Sequence, residues 1–182
     1  MRNKALSVLK QYNQNEALIR HALSVEAVMR EFAAAAGEDV EYWGTVGLLH
    51  DVDYEQYPQM HCKKAPELLE AAGYDEAFIH AVISHGYGLC ADVEPLLYME
   101  KVLYTVDELT GLIAATALMR PSRSVMDLEV KSVKKKFKDK AFAAGVNREV
   151  INNGCTMLGM ELDDVIGRCI AGMKTVAQDI GL

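Results

Sequence analysis

No stretch of this chain is apolar for long enough to cross a bilayer. The longest apolar run, near Leu112 to Met119, falls well short of the ~20 residues that a spanning helix needs. The amino terminus, Met1-Arg2-Asn3-Lys4, lacks the apolar segment of a signal peptide. Cysteine is sparse and scattered. Cys62, Cys90, Cys155 and Cys169 form no Cys-x-x-Cys pair, which argues against a zinc ribbon or a disulfide framework and for a reducing compartment. A soluble, cytoplasmic protein is expected. Positive charge is in deficit, with 19 basic residues against 26 acidic ones and a formal net charge of -7. Broad attraction to nucleic acid or to an anionic membrane is therefore not expected, and any anionic ligand would need a local site. Only four prolines interrupt the chain, and no convincing strand alternation appears.

What is present favours helices. Hydrophobic residues at 51% and charged residues at 25% suit a globular protein, and a length of 182 residues suits one domain. Leu18, Ala22, Val25, Met29, Phe32 and Ala36 recur at spacings of three and four, which predicts a helix from Asn15 to Ala36. A second helix is expected from about Glu38 to Asp51. A short one should end at Gly73, and another should start on Asp75 as N-cap and run through His85 to Gly86. The longest should span about Val93 to Met119, with Leu96, Leu103, Asp107, Ala114 and Leu118 on one stripe, and end before Pro121. Beyond it, Met126, Val130, Val133, Phe137 and Ala141 form an apolar stripe on a helix carrying Lys131, Lys134, Lys135, Lys136, Lys138 and Lys140. That basic face reads as solvated rather than as an anion-binding surface. Asn147 to Leu158 and Leu162 to Ile180 complete the all-α pattern, with Asn147 and Asp163 or Asp164 as caps.

Several polar residues fall on apolar faces. His50 and Asp51 close the run Trp43 to Leu49, and His50 shares its face with Trp43 and Val46. His21 lies on the rim of its helix's stripe, and Asp107 sits in the middle of another. Burying such groups without partners is costly. A lone inward Asp would be expected to pair with Lys or Arg, and a lone His with a backbone carbonyl. Inward groups from three helices together match what one metal site in a helical bundle requires. His85 lies near the Phe78 and Val82 side of its helix, whereas His80 projects the opposite way, toward the surface.

The set His21, His50-Asp51 and Asp107, with Thr105-Val106-Asp107-Glu108-Leu109 inside a long helix, resembles the HD superfamily of metal-dependent phosphohydrolases. The resemblance covers Asn15 to about Met119, leaving residues from about 122 to 182 as a helical extension. It implies an all-α HD-domain bundle whose ligands to a divalent ion (Fe, Mn, Co, Ni, Zn or Mg) are His21, His50, Asp51 and Asp107. His61 and His85 fall where members with two ions carry further ligands, with Asp51 bridging. The Gly-Lys that often follows His-Asp in the family is replaced here by Val52-Asp53-Tyr54. Lys63, Lys64 or Lys101 is then the expected phosphate-binding group, with Arg123 a further choice. The activity implied is hydrolysis of a nucleotide or another small phosphate ester by a metal-activated water, with Asp53 or Glu55 moving a proton. Two other classes remain open: a di-iron oxygenase of the same ligand type, and a metal-binding module without turnover.

Overall fold

Helix caps written into the sequence set many of the boundaries. The computed structural model describes residues 1–182 and contains ten helices and no strand. They are α1 (Arg2–Tyr12), α2 (Glu16–Ala36), α3 (Val40–Leu49), α4 (Ala65–Ala71), α5 (Glu76–Ile83), α6 (Tyr98–Leu118), α7 (Val130–Lys138), α8 (Arg148–Leu158), α9 (Leu162–Lys174) and α10 (Ala177–Ile180). Asn15, Asp39, Asp75 and Asn147 each accept a backbone N–H in the first turn of α2, α3, α5 and α8. Gly37 stops α2 at φ 72°, in the left-handed region that a side chain disfavours.

α2 is the central post, with α3, α6, α9 and α10 packed around it. Its Val25, Val28, Met29 and Phe32 are fully or almost fully buried. Burial on several sides explains why α9 carries Gly172 at its crossing. A Cβ there would lie 2.8 Å from Val28 Cα and 2.9 Å from the Ala27 carbonyl oxygen, so the two backbones meet only across a glycine. α6 forms the second axis and receives α7, α8 and α9. One hydrophobic cluster runs from Ala5 and Leu9 in α1 to Ile180 in α10. The carboxy-terminal helices therefore share the core of the helices that carry the His and Asp residues.

Some expected boundaries move, for local reasons. α1 lies ahead of the first helix expected from periodicity, and Arg2 fastens it to the buried Glu26 of α2 at 2.6 and 3.0 Å. α6 begins at Tyr98 rather than near Val93. Pro95 biases the backbone before it toward extended structure, and Glu100 turns back to accept the N–H groups of Leu96 and Leu97. Leu96 thus precedes the helix and is exposed, as is Leu118 at the other end. Met126 is exposed in the turn before α7, whereas Val133 of the same expected stripe is fully buried. Glu161, not Asp163 or Asp164, occupies the N-cap of α9, and Asp163 pairs with Lys134 at 2.8 Å.

Candidate metal centre

His50 is the first residue past the last turn of α3, where carbonyls lack intrahelical donors. Its Nδ1–H donates to the Gly47 carbonyl at 2.8 Å. His85, in the turn that follows α5, repeats the arrangement: its Nδ1–H donates to the Val82 carbonyl at 2.6 Å. Each histidine caps a helix and, by the same bond, turns its Nε2 the other way. Capping and ligation, alternatives in the sequence, are here compatible in one residue.

Those Nε2 atoms converge with others on Asp51. On one side stand His21 from α2, His50, and Asp107 from α6. His21 Nε2 lies 2.8 Å from Asp107 Oδ1 and 3.2 Å from His50 Nε2, while His50 Nε2 lies 3.3 Å from Asp107 Oδ1. Asp51 Oδ2 faces this group, 3.4 Å from His50 and 3.9 Å from His21. On the other side His61 and His85 bring their Nε2 atoms to 3.3 Å from each other, and each lies 3.5 Å from Asp51 Oδ1. The two oxygens of one carboxylate thus face two donor groups.

A third carboxylate holds one of these imidazoles. Asp53 is fully buried, accepts the His61 Nδ1–H at 2.9 Å and accepts the Ala65 N–H at 2.9 Å. This carboxylate–histidine relay fixes the tautomer that leaves His61 Nε2 free for a ligand.

Electrostatics follow from crowding. Burial works against a charge on His50, but Asp51 and Asp107 outweigh it and hold the imidazolium well above the usual histidine range. Burial likewise opposes ionisation of Asp51 and Asp107, yet the neighbouring histidines keep both carboxyls well below their ordinary value. For His61 burial is again outweighed, chiefly by Asp53, and the imidazole is held up to about 10. Protons are gathered where a cation would satisfy the same lone pairs. Imidazole nitrogens and carboxylate oxygens suit first-row divalent ions, and Nε2 pairs at 3.2 and 3.3 Å match the ~3.3 Å edge of a tetrahedron with metal–nitrogen bonds near 2.05 Å. The residues present fit a metal.

The groups open onto a cleft of about 410 Å³ lined by Tyr54, Leu89, Cys90, Glu108, Val146 and Val150 among others. No lysine or arginine lines it. Lys63 is exposed, Lys64 pairs with Glu67, and Lys101 lies on α6 outside the cleft lining. Glu55 is also elsewhere: its carboxylate accepts the N–H groups of Gln14 and Asn15 at 2.7 and 2.9 Å, ahead of α2. Asp53, buried behind His61, does not line the cleft. His80 donates through Nδ1–H to Glu100 at 2.9 Å, away from the cluster. Two features are given no role by the sequence, where Cys62 reads as a small buried side chain rather than a ligand or nucleophile. Glu108 lines the cleft beside Asp107, its carboxyl raised by burial. Cys62 and Cys90, 28 residues apart, bring their sulfurs to 3.0 Å. Their shared hydrogen bond raises Cys62 and lowers Cys90 to about 5.

An all-α fold that gathers four imidazoles and two carboxylates at one cleft, with His50 buried behind the rest, defines a candidate metallohydrolase of the His/Asp type. A family model described as HD domain matches residues 18–135, past the expected end of the motif-bearing core near Met119 and into α7. The chain belongs to the HD domain family, and so to a superfamily of metal-dependent hydrolases. No solved structure matches it.

Proposed function

We propose that the protein is a phosphohydrolase acting on a nucleotide or another small phosphate ester with two divalent ions. His21, His50, Asp107 and Asp51 Oδ2 would hold one, and His61, His85 and Asp51 Oδ1 would hold the other. The single observation that carries the reading is the division of Asp51, whose two oxygens face two separate nitrogen-bearing groups. The ions would supply a hydroxide near neutral pH and polarise a phosphoryl oxygen. The chain's own part is positional. Asp53 keeps His61 in the ligating tautomer, and the Gly47 and Val82 carbonyls do so for His50 and His85. Glu108, at the cleft wall, takes the proton-moving role that Asp53 and Glu55 are not placed to fill. Leu89, Val146 and Val150 give the cleft lining an apolar part, against which charge interactions are stronger than in bulk water.

Since no lysine or arginine lines the cleft, the ions themselves would offset the phosphate charge there, with Arg20 in the wall of the adjoining cavity. A substrate's organic part has room next door, in a cavity of about 470 Å³ that shares His21 and Gly111 with the cleft.

The test is turnover of a panel of nucleotides and sugar phosphates after reconstitution with Mn, Fe, Co, Ni or Zn, beside His50→Ala. Activity that needs metal and disappears in the variant is expected. Failure of the wild type to retain any of these metals, or activity unchanged in His50→Ala, would refute the assignment. The missing cationic clamp also favours a second reading, a di-iron oxygenase. Oxygen consumption by the iron-loaded protein, without phosphate release, would select it.

A further inference from the structure

We propose that the second ion position takes a sulfur ligand, with Cys62 Sγ joining His61 Nε2, His85 Nε2 and Asp51 Oδ1, and Cys90 positioning that sulfur. The proposal rests on the two-ion reading above and adds to it a preference for a thiophilic metal. Four observations carry it. His61, Cys62 and His85 place their ligand atoms within 4.8 Å of one another, and Cys62 Sγ lies 3.9 Å from His85 Nε2. With metal–nitrogen bonds near 2.05 Å and a metal–sulfur bond near 2.3 Å, a tetrahedral site has a nitrogen–sulfur edge of ~3.6 Å, so closure asks the sulfur to move by only a few tenths of an ångström on that edge.

Cys62 is also one of three non-glycine residues at positive φ, at 64°. A left-handed β-carbon-bearing residue costs about 1 kcal/mol or more, and such strain collects where a side chain must be aimed. Here it places Sγ beside His85, one residue after His61. Third, Cys90 Sγ is 3.0 Å from Cys62 Sγ, so when a cation takes the Cys62 sulfur as thiolate the proton the pair shares can pass from Cys62 to Cys90, whose S–H then donates back to Cys62 Sγ. Fourth, Gly86 follows His85 directly, and a β-carbon there would strike both sulfurs. The turn that carries the ligand histidine is kept bare where the thiols lie. Neither Cys155 nor Cys169 has any such surroundings: both are buried in the core cluster.

A two-imidazole, one-thiolate, one-carboxylate set suits Zn or Fe and disfavours Mg, which prefers oxygen. The two halves of the site would then differ in kind. His21, His50 and Asp107 offer nitrogen and oxygen only, whereas the His61 side adds sulfur.

The experiment is titration of reduced, metal-depleted full-length protein with Co(II), followed by optical absorption. A sulfur-to-cobalt charge-transfer band in the near ultraviolet should grow with one of two equivalents. It should vanish in Cys62→Ser, with at least tenfold weaker binding of that equivalent, and persist in Cys90→Ser and in His21→Ala. Zinc X-ray absorption on the wild type, showing one sulfur near 2.3 Å, gives the same answer without a variant should Cys62→Ser not fold. Absence of the band in the wild type overturns the proposal, as does its survival in Cys62→Ser or its loss in Cys90→Ser alone. A band with no turnover of any phosphate ester would leave the sulfur ligand standing and remove the phosphohydrolase reading. One bound equivalent without the band would remove the two-ion site and the sulfur ligand together.

Discussion

Metal binding on the His61 side should be strongly pH-dependent, and Asp53 should be the reason. In the metal-free protein Asp53 holds His61 up to about 10, so its Nε2 carries a proton throughout the neutral range. An ion entering there must displace that proton while Nδ1–H stays on Asp53. One proton released per ion means tenfold in apparent affinity per pH unit, so lowering the pH from 8 to 6 should weaken this equivalent about 100-fold, or about 3 kcal/mol. Asp53→Asn removes the main charge raising His61, and the proton dependence should flatten above pH 7. Calorimetric titration in two buffers of different ionisation enthalpy counts the protons directly. The sign also fixes a stability effect. A folded-state value raised from 6.5 to about 10 gives stabilisation that is complete below pH 6.5 and is lost as pH rises through about 10. The metal-free protein should therefore lose thermal stability between pH 7 and 10, and Asp53→Asn should lose less. A slope of zero for the wild type, or an equal slope in Asp53→Asn, would refute the reasoning.

Four further outcomes follow from the packing. Glu26 is buried and binds Arg2 and Arg30 at 2.6 and 3.1 Å, so Glu26→Gln leaves Arg2 without its anion and Arg30 with Glu41 alone, at 2.6 Å. Because both arginines are partly solvated, the expected cost is about 2 kcal/mol, seen as a midpoint lowered by about 4–8 °C on thermal melting. Gly172→Ala should cost about 1–3 kcal/mol, since its new carbon meets α2 backbone that cannot step aside. Gly111→Ala, whose β-carbon would sit 3.7 Å from Val146, should be neutral or stabilising by about 0.5–1 kcal/mol, and denaturant melts of the pair separate crowding from helix propensity. Arg148 donates to the carbonyls of Asp139, Phe142, Ala143 and Val146, so Arg148→Met should speed proteolysis or hydrogen exchange of residues 139–147.

The helical core was legible because burial repeats with a helical period. Asn15 to Ala36 shows this best: its apolar positions, its Asn cap and its terminal glycine agree, and α2 begins and ends within one residue of the expected limits. Periodicity on three such faces also brought His21, His50 and Asp107 into view, and the structure gathers them within hydrogen-bonding distance. Where the chain leaves helices, a period no longer reports direction. Residues 51–64 pass through turns, and there the roles of single side chains were hidden. Asp53 and Glu55 lie two residues apart with the same chemistry, yet one supports His61 from inside the core while the other caps the chain entering α2. Cys62 depends on a positive φ that nothing in the neighbouring residues announces, and its partner Cys90 arrives from beyond α5. A carboxylate two residues past a His-Asp pair, followed by a histidine, was a usable signal. Its meaning depended on the direction of a turn: with Pro58 starting a tight turn between them, Asp53 and His61 can face each other, and a buried Asp facing an imidazole Nδ1–H orients it instead of exchanging protons with substrate.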